Sequence, residues 1–173
     1  SDVYGETTGD AWYEYDGADL YNSGATTAGV TIANASLPLV YLEELRPARD
    51  FYANSRYGLV IRTNGAVSLS NVAVTGNGSK GADIYNIPGG TSTAMPAVTI
   101  NKGEFNMNGN TGLDITTRGV VTIKDLQAFS NEAIYGDTPD GYGARITNNG
   151  AAKAVSIVNS ASNTGYLQDN ALS

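Results

Sequence analysis

Gly112-Leu-Asp-Ile-Thr-Thr-Arg-Gly-Val-Val-Thr-Ile-Lys-Asp-Leu-Gln-Ala-Phe-Ser-Asn131 is the stretch that decides the fold. Leu113 and Ile115 fall on one side of an alternating pattern and Asp114 on the other. Val121 and Ile123 repeat the alternation around Thr122. A period of two is the mark of a half-buried strand, whereas a helix needs apolar residues every 3.6 positions. Glycine, asparagine, threonine and valine are also poor helix formers. Two short strands within twenty residues, closed by an asparagine, are therefore expected.

Outward from this stretch the same unit recurs. Gly17-Ala-Asp-Leu-Tyr-Asn22 returns as Gly81-Ala-Asp-Ile-Tyr-Asn86, with Gly58-Leu-Val-Ile61 and Gly143-Ala-Arg-Ile146 as further copies. A second unit follows each: Val30-Thr-Ile32, Val67-Ser-Leu69, Val98-Thr-Ile100, Val121-Thr-Ile123 and Val155-Ser-Ile157. Asn77, Asn108 and Asn131 each lie ten residues after the valine, and Asn54 precedes Gly58 by the four residues that separate Asn77 from Gly81. Internal repetition of this kind signals stacked repeats.

The unit glycines are 41, 23, 31 and 31 residues apart. The 23-residue interval has room for three strands of four or five residues with tight turns. Longer intervals carry insertions at 36–51, 86–95 and 132–142, and all five prolines fall in or beside these segments. Proline interrupts ladder hydrogen bonding, so its exclusion from the repeated units supports reading them as strands. Stacking at about 4.8 Å would pile the apolar faces into one internal column, a parallel β-solenoid. Asn54, Asn77, Asn108 and Asn131 would form an amide ladder at one corner. Asparagine and glycine would supply the left-handed backbone that tight corners need.

The run Gly-Leu-x-Ile, then Gly-Val-Val-Thr-Ile-x-x-Leu-x-Ala-x-x-Asn, resembles the right-handed parallel β-helix (pectin-lyase-like) superfamily. It is most similar to the Asn/Gly/Thr-rich solenoids of secreted bacterial surface proteins. The resemblance implies an all-β, single-stranded right-handed parallel β-helix of about five to six rungs with loop insertions, secreted or at the cell surface. It spans roughly 17–168, so the solenoid is assigned to 17–173 and an acidic, aromatic cap or partial rung to 1–16. Family enzymes that cleave pectic sugars show an Asn-Thr-Asp trio, a Gly-His-Gly turn, or paired arginines beside calcium-binding aspartates. The first two are missing, and Arg46-Pro-Ala-Arg49 is a fragment of the third without its aspartates. No catalytic residue carries over, and a non-enzymatic protein is expected.

Composition narrows the chemistry further. With no histidine and no cysteine, the chain has no imidazole base, thiolate nucleophile, disulfide or His/Cys-ligated metal. Leu, Ile, Val and Phe number 36 of 173 residues, close to the range where chains fail to fold, so the periodic pattern carries the case for a core. The net charge of −7 is concentrated in residues 1–20, which hold six acids and no base. An acidic chain without a basic stripe does not suit nucleic acid. No apolar run reaches the roughly 18 residues of a membrane span.

On the outward side, the first unit presents Asp19, Val60, Asp83, Asp114 and Arg145 on successive rungs. Asp83 and Asp114, one strand spacing apart, would be a charge stripe compensated by Arg145, a weak calcium site, or an acid–nucleophile pair. No other metal or cofactor is expected. The second unit presents Thr31, Ser68, Thr99, Thr122 and Ser156, a flat hydroxyl face suited to sheet pairing or to contact with another molecule. Tyr85, Tyr135 and Tyr142 are candidate contact residues beside the aspartates, since tyrosine suits sugars and protein interfaces. Gly165-Tyr-Leu-Gln-Asp-Asn170 reads as the first strand of a rung that is not completed. Open ends would favour head-to-tail self-association or membership of a longer repeat array, with surface glycans as further partners. The function expected is a structural or adhesive solenoid, with a self-associating filament or surface-fibre subunit as one form of it. The alternative is a carbohydrate-binding or carbohydrate-cleaving β-helix using a lateral Asp/Tyr groove.

Overall fold

Alternating apolar residues between glycines build an all-β chain. The computed structural model describes residues 3–4, 16–22, 28–34, 50–89, 93–131, 141–150 and 153–160. Among them are twelve strands and no helix: β1 (Val3–Tyr4), β2 (Ala18–Asn22), β3 (Val30–Ala33), β4 (Phe51–Tyr52), β5 (Leu59–Thr63), β6 (Val67–Thr75), β7 (Ala82–Asn86), β8 (Val98–Glu104), β9 (Leu113–Thr117), β10 (Val121–Gln127), β11 (Ala144–Asn148) and β12 (Val155–Val158). The first repeated unit makes one five-stranded sheet in the order β11-β9-β7-β5-β2. The second makes a seven-stranded sheet in the order β1-β4-β6-β8-β10-β12, with β3 also paired to β6. Every pairing is parallel, so each repeat lies on the next in the same direction.

Register follows the glycine-based alignment. Leu20, Ile61, Ile84, Ile115 and Ile146 stack in one column. Ile32, Leu69, Ile100, Ile123 and Ile157 stack in the other. The two columns share one apolar core in which Ile61, Ile84, Ile115 and Ile123 are fully buried. A one-residue slip would turn every isoleucine outward, so burial fixes the register. Ile115→Ala or Ile123→Ala should lower unfolding stability by roughly 2–5 kcal/mol in urea titrations. Thr122→Ala, on the half-exposed side of the same strand, should change it by less than about 1 kcal/mol. Equal losses at 122 and 123 would contradict the register.

The long strands are bent. Asn71 (φ 53°), Lys102 (φ 56°) and Asp125 (φ 53°) adopt left-handed backbone at equivalent positions of β6, β8 and β10. Beyond the bend Val72, Val74 and Leu126 point back into the core. A second left-handed corner follows at Ala53, Gly76, Met107 and Ser130.

The corners depart from expectation in composition. Asn71 and Gly76 occupy left-handed positions, but lysine, methionine, alanine, serine and aspartate do so as well. The ladder asparagines sit one residue past the second corner, outside the left-handed region. Strand pairing on both sides of each bend dictates its φ, and this outweighs the roughly 1–2 kcal/mol that a Cβ costs there. Two insertions are also shorter than expected. Phe51 belongs to β4, paired with Val74, and Asn86 belongs to β7, paired with Thr117. The segment 1–16 contributes β1, which pairs with β4. Residues 36–49 of the insertion at 36–51, residues 132–140 of the insertion at 132–142, and the unit Gly165–Asn170 lie outside the described residues.

Candidate functional site

The outward side of the five-stranded sheet carries a cluster of charged residues. Strand register sets Asp19, Val60, Asp83, Asp114 and Arg145 side by side on consecutive strands. Lys80 precedes its repeat glycine by one residue and reaches over the sheet to both aspartates. Its Nζ lies 2.5 Å from Asp114 Oδ2 and 3.4 Å from Asp83 Oδ1. Arg145 donates from Nη2 to Asp114 Oδ2 at 2.5 Å and from Nε to Asp114 Oδ1 at 3.1 Å. Arg62 donates to Asp83 Oδ2 at 2.5 Å and to the Asp83 carbonyl at 3.1 Å. Three cations thus share two carboxylates.

These bonds bury Asp114 to 3% exposure although its side chain points outward. Burial by itself would raise its carboxyl, but hydrogen bonds from Arg145 and Lys80, with the two positive charges, hold it below 3.8. A lowered folded value means that the stabilisation is present above the unfolded pKa near 3.9 and is lost as pH falls through the folded value. Glu104 acts in the opposite sense: burial first and Asp50 second raise its carboxyl, so its contribution is present in acid and is lost as pH rises. The difference in stability between wild type and Asp114→Asn isolates the column. That difference should be constant at neutral pH and shrink only below about pH 4. A difference that vanishes between pH 5 and 7 would contradict the ion pairing.

Tyrosines flank the column. Arg62 lies 5.9 Å from the ring centroid of Tyr85, and Arg145 lies 5.8 Å from that of Tyr142. Tyr57 receives Arg56 at 5.1 Å and Lys80 at 5.9 Å. Such contacts are worth about 0.5–1 kcal/mol at an exposed surface. Among the described residues Tyr21 and Tyr85 are the exposed rings, at 69% and 44%, on either side of Arg62 in one register column. Tyr135 lies outside the described residues. Asp83, Asp114, Arg145, Tyr85 and Tyr142 therefore share one face. Thr31, Ser68, Thr99, Thr122 and Ser156 form a separate column on the seven-stranded sheet. Among the described residues no three acidic side chains converge as metal ligands, and a cation between Asp83 and Asp114 would have to displace Lys80.

Beneath this face the polar side chains are used for stacking. Asn54 donates from Nδ2 to Asn77 Oδ1 at 2.8 Å, Asn77 to Asn108 at 2.9 Å, and Asn108 to Asn131 at 3.0 Å. The backbone N–H groups of Asn54, Asn77 and Asn108 donate to the same acceptor oxygens. The second amide hydrogens of Asn77, Asn108 and Asn131 go to the carbonyls of Phe51, Val74 and Phe105. All four asparagines are buried. Among the described residues Asn54 Oδ1, at the first step, receives no donor.

The repeat glycines serve this ladder. A Cβ at Gly17, Gly58, Gly81 or Gly112 would lie 2.5, 2.5, 2.6 or 2.7 Å from the amide nitrogen of Asn54, Asn77, Asn108 or Asn131. None of the four has positive φ, so close approach and not backbone freedom requires glycine there.

A second polar column escaped the sequence reading. Asn22, Thr63, Asn86, Thr117 and Asn148 stack at the ends of the first-sheet strands. Thr117 Oγ1 donates to Asn86 Oδ1 at 2.8 Å, and Asn86 Nδ2 donates to the Gly65 carbonyl at 3.0 Å. The signal was present: the fifth residue after each repeat glycine alternates Asn, Thr, Asn, Thr, Asn.

Comparison of the chain with protein-family models, curated proteins and solved structures returns no match. Function must be argued from these columns.

Proposed function

We propose that this chain is a non-enzymatic structural segment of a β-solenoid: the two sheets are walls of a single right-handed coil, in a secreted or cell-surface protein with a structural or adhesive role. The observation that carries the reading is the use made of polar side chains. Buried amides and hydroxyls bond from one repeat to the next, and the outward carboxylates are held by Lys80, Arg62 and Arg145. Such bonding favours a stiff stacked body over a cleft with a poised acid or nucleophile. The two left-handed corners in each of the repeats that begin at Gly58, Gly81 and Gly112 support the solenoid reading. The hand and the location rest on the β-helix resemblance.

One observation favours a second reading, a glycan-binding face. Tyr21 and Tyr85 stand two strands apart, about 9.6 Å, with Arg62 on the strand between them. Aromatic rings with an adjacent donor suit sugar stacking. Glycan-array binding combined with a lyase and hydrolase screen separates the readings. No turnover and no array signal is the result expected of a structural segment. Binding abolished by Tyr85→Ala would establish the second reading. Reproducible cleavage abolished by Asp114→Asn would overturn the first.

A further inference from the structure

The two ends of the stack match each other. Residues 16–34 carry Asp16 and Asp19 and no base, whereas 143–160 carry Arg145 and Lys153 and no acid. At the C-terminal end the last described strands leave apolar side chains in the open: Val155 at 45%, Ile157 at 43% and Val158 at 56% exposure. At the N-terminal end Ala18, Leu20, Val30 and Ile32 are only partly buried against the core. β2 and β11 are the terminal strands of the five-stranded sheet; in the other sheet β12 is terminal at one end, and at the other β1 covers β4 while β3, among the described strands, pairs with β6 alone.

Given these ends, we propose that the partner of this chain is a second copy, seated so that its first repeat continues the last repeat of the first copy in native register. This rests on the structural reading above and names its partner. In that register Ala18, Leu20, Val30 and Ile32 of the second copy lie on Ala144, Ile146, Val155 and Ile157. The pairs reproduce those already present inside the molecule, where Ala82 lies on Leu113, Ile84 on Ile115 and Val121 on Val155. Arg145 then stands between Asp114 of its own chain and Asp19 of the second copy, repeating the way Lys80 stands between Asp83 and Asp114.

Asp19 supports the match, since burial first and Asp16 second raise its carboxyl against a lesser opposing effect of Arg62, and a second cation would relieve it. The chain's own segment 165–170 fits the C-terminal end less well. In the phase set by its glycine, it would place Gln168 where the other repeats have Leu20, Ile61, Ile84, Ile115 and Ile146. Contacts of this kind are heterologous and grow into filaments when they do not close.

Because the chain has no cysteine, the junction can be tested by cross-linking. In the proposed register Thr31 of one copy faces Ser156 of the other at about 4.8 Å between Cα atoms, within disulfide reach. Full-length Thr31→Cys and Ser156→Cys chains, mixed under mild oxidation, should give a mixed disulfide dimer that neither gives alone. The double variant should give a ladder of multimers on a non-reducing gel. Adding Arg145→Glu to the Ser156→Cys chain should slow the cross-link roughly five-fold at low salt, and Asp19→Lys on the other chain should restore it.

Sedimentation of the unmodified chain over a concentration series gives a readout that no substitution can disturb, with growing oligomers expected. A strict monomer, or cross-linking no faster in the mixture than in either chain alone, would overturn the proposal. The two readings fail separately. A monomer without sugar turnover removes the stacking and leaves the structural reading, whereas turnover in a chain that still cross-links does the reverse.

Discussion

Asn108→Ala should lower unfolding stability by roughly 3–6 kcal/mol, more than loss of a core isoleucine. The side chain of Asn108 takes part in four hydrogen bonds. Its Oδ1 accepts from the Nδ2 and backbone N–H of Asn77, and its Nδ2 donates to Asn131 Oδ1 and the Val74 carbonyl. Truncation strands the Asn77 donors in a buried site, and each buried unpaired group costs about 1–3 kcal/mol. Asn108→Asp tests the same bonds by charge. A carboxylate at this position has no hydrogen to give Val74 or Asn131, so burial and facing oxygens raise its folded pKa. Its stability should therefore fall as pH rises past the unfolded value near 3.9. Urea titrations at pH 3.5 and pH 7 measure both effects. An Asn108→Ala loss below about 1 kcal/mol would mean the amides are bonded to solvent.

Gly81→Ala should be nearly as damaging, at roughly 3–5 kcal/mol, the sum of overpacking and a broken ladder step. The added methyl would meet Asn108 Nδ2 at 2.6 Å and press on the carbonyl oxygen of Gly112. The latter is backbone of the next repeat, where it accepts the Ala82 N–H, and it cannot move without opening the sheet. Gly89→Ala is the control, because nothing lies within 4 Å of a Cβ there. It should change stability by no more than about 0.5 kcal/mol. Similar losses at both glycines would point to chain entropy and not to packing.

These positions show what the amino-acid sequence could and could not reveal. Strand placement and register were legible because both follow from one period: Leu113 and Ile115 must be buried together, and the glycine-based alignment does the rest. The adjacency of Asp83 and Asp114 followed from that register. Lys80 was hidden because it lies outside the alternating strand, in the turn before Gly81, and a turn residue's reach depends on the corner geometry. The left-handed corners were misassigned for a related reason. Asparagine and glycine prefer that backbone, but Lys102 and Met107 take it because neighbouring strands impose it. The Asn/Thr column was readable and was missed because only the apolar positions of the unit were compared. Tyrosine identity said little: Tyr57, in the turn before Gly58, lies under Arg56 and Lys80, while Tyr85, inside β7, is exposed.

Side-chain amide hydrogen exchange, read by NMR at Asn77 and Asn108, tests most directly whether the repeats are stacked through a dry interior ladder. Both amides donate inside the core, so their hydrogens should exchange only when the stack opens, as slowly as the backbone N–H groups of Ile84 and Ile115. Exchange of both Asn side chains at the rate of a solvent-exposed amide, while those backbone groups stay protected, would contradict the ladder and the stacking of repeats through it.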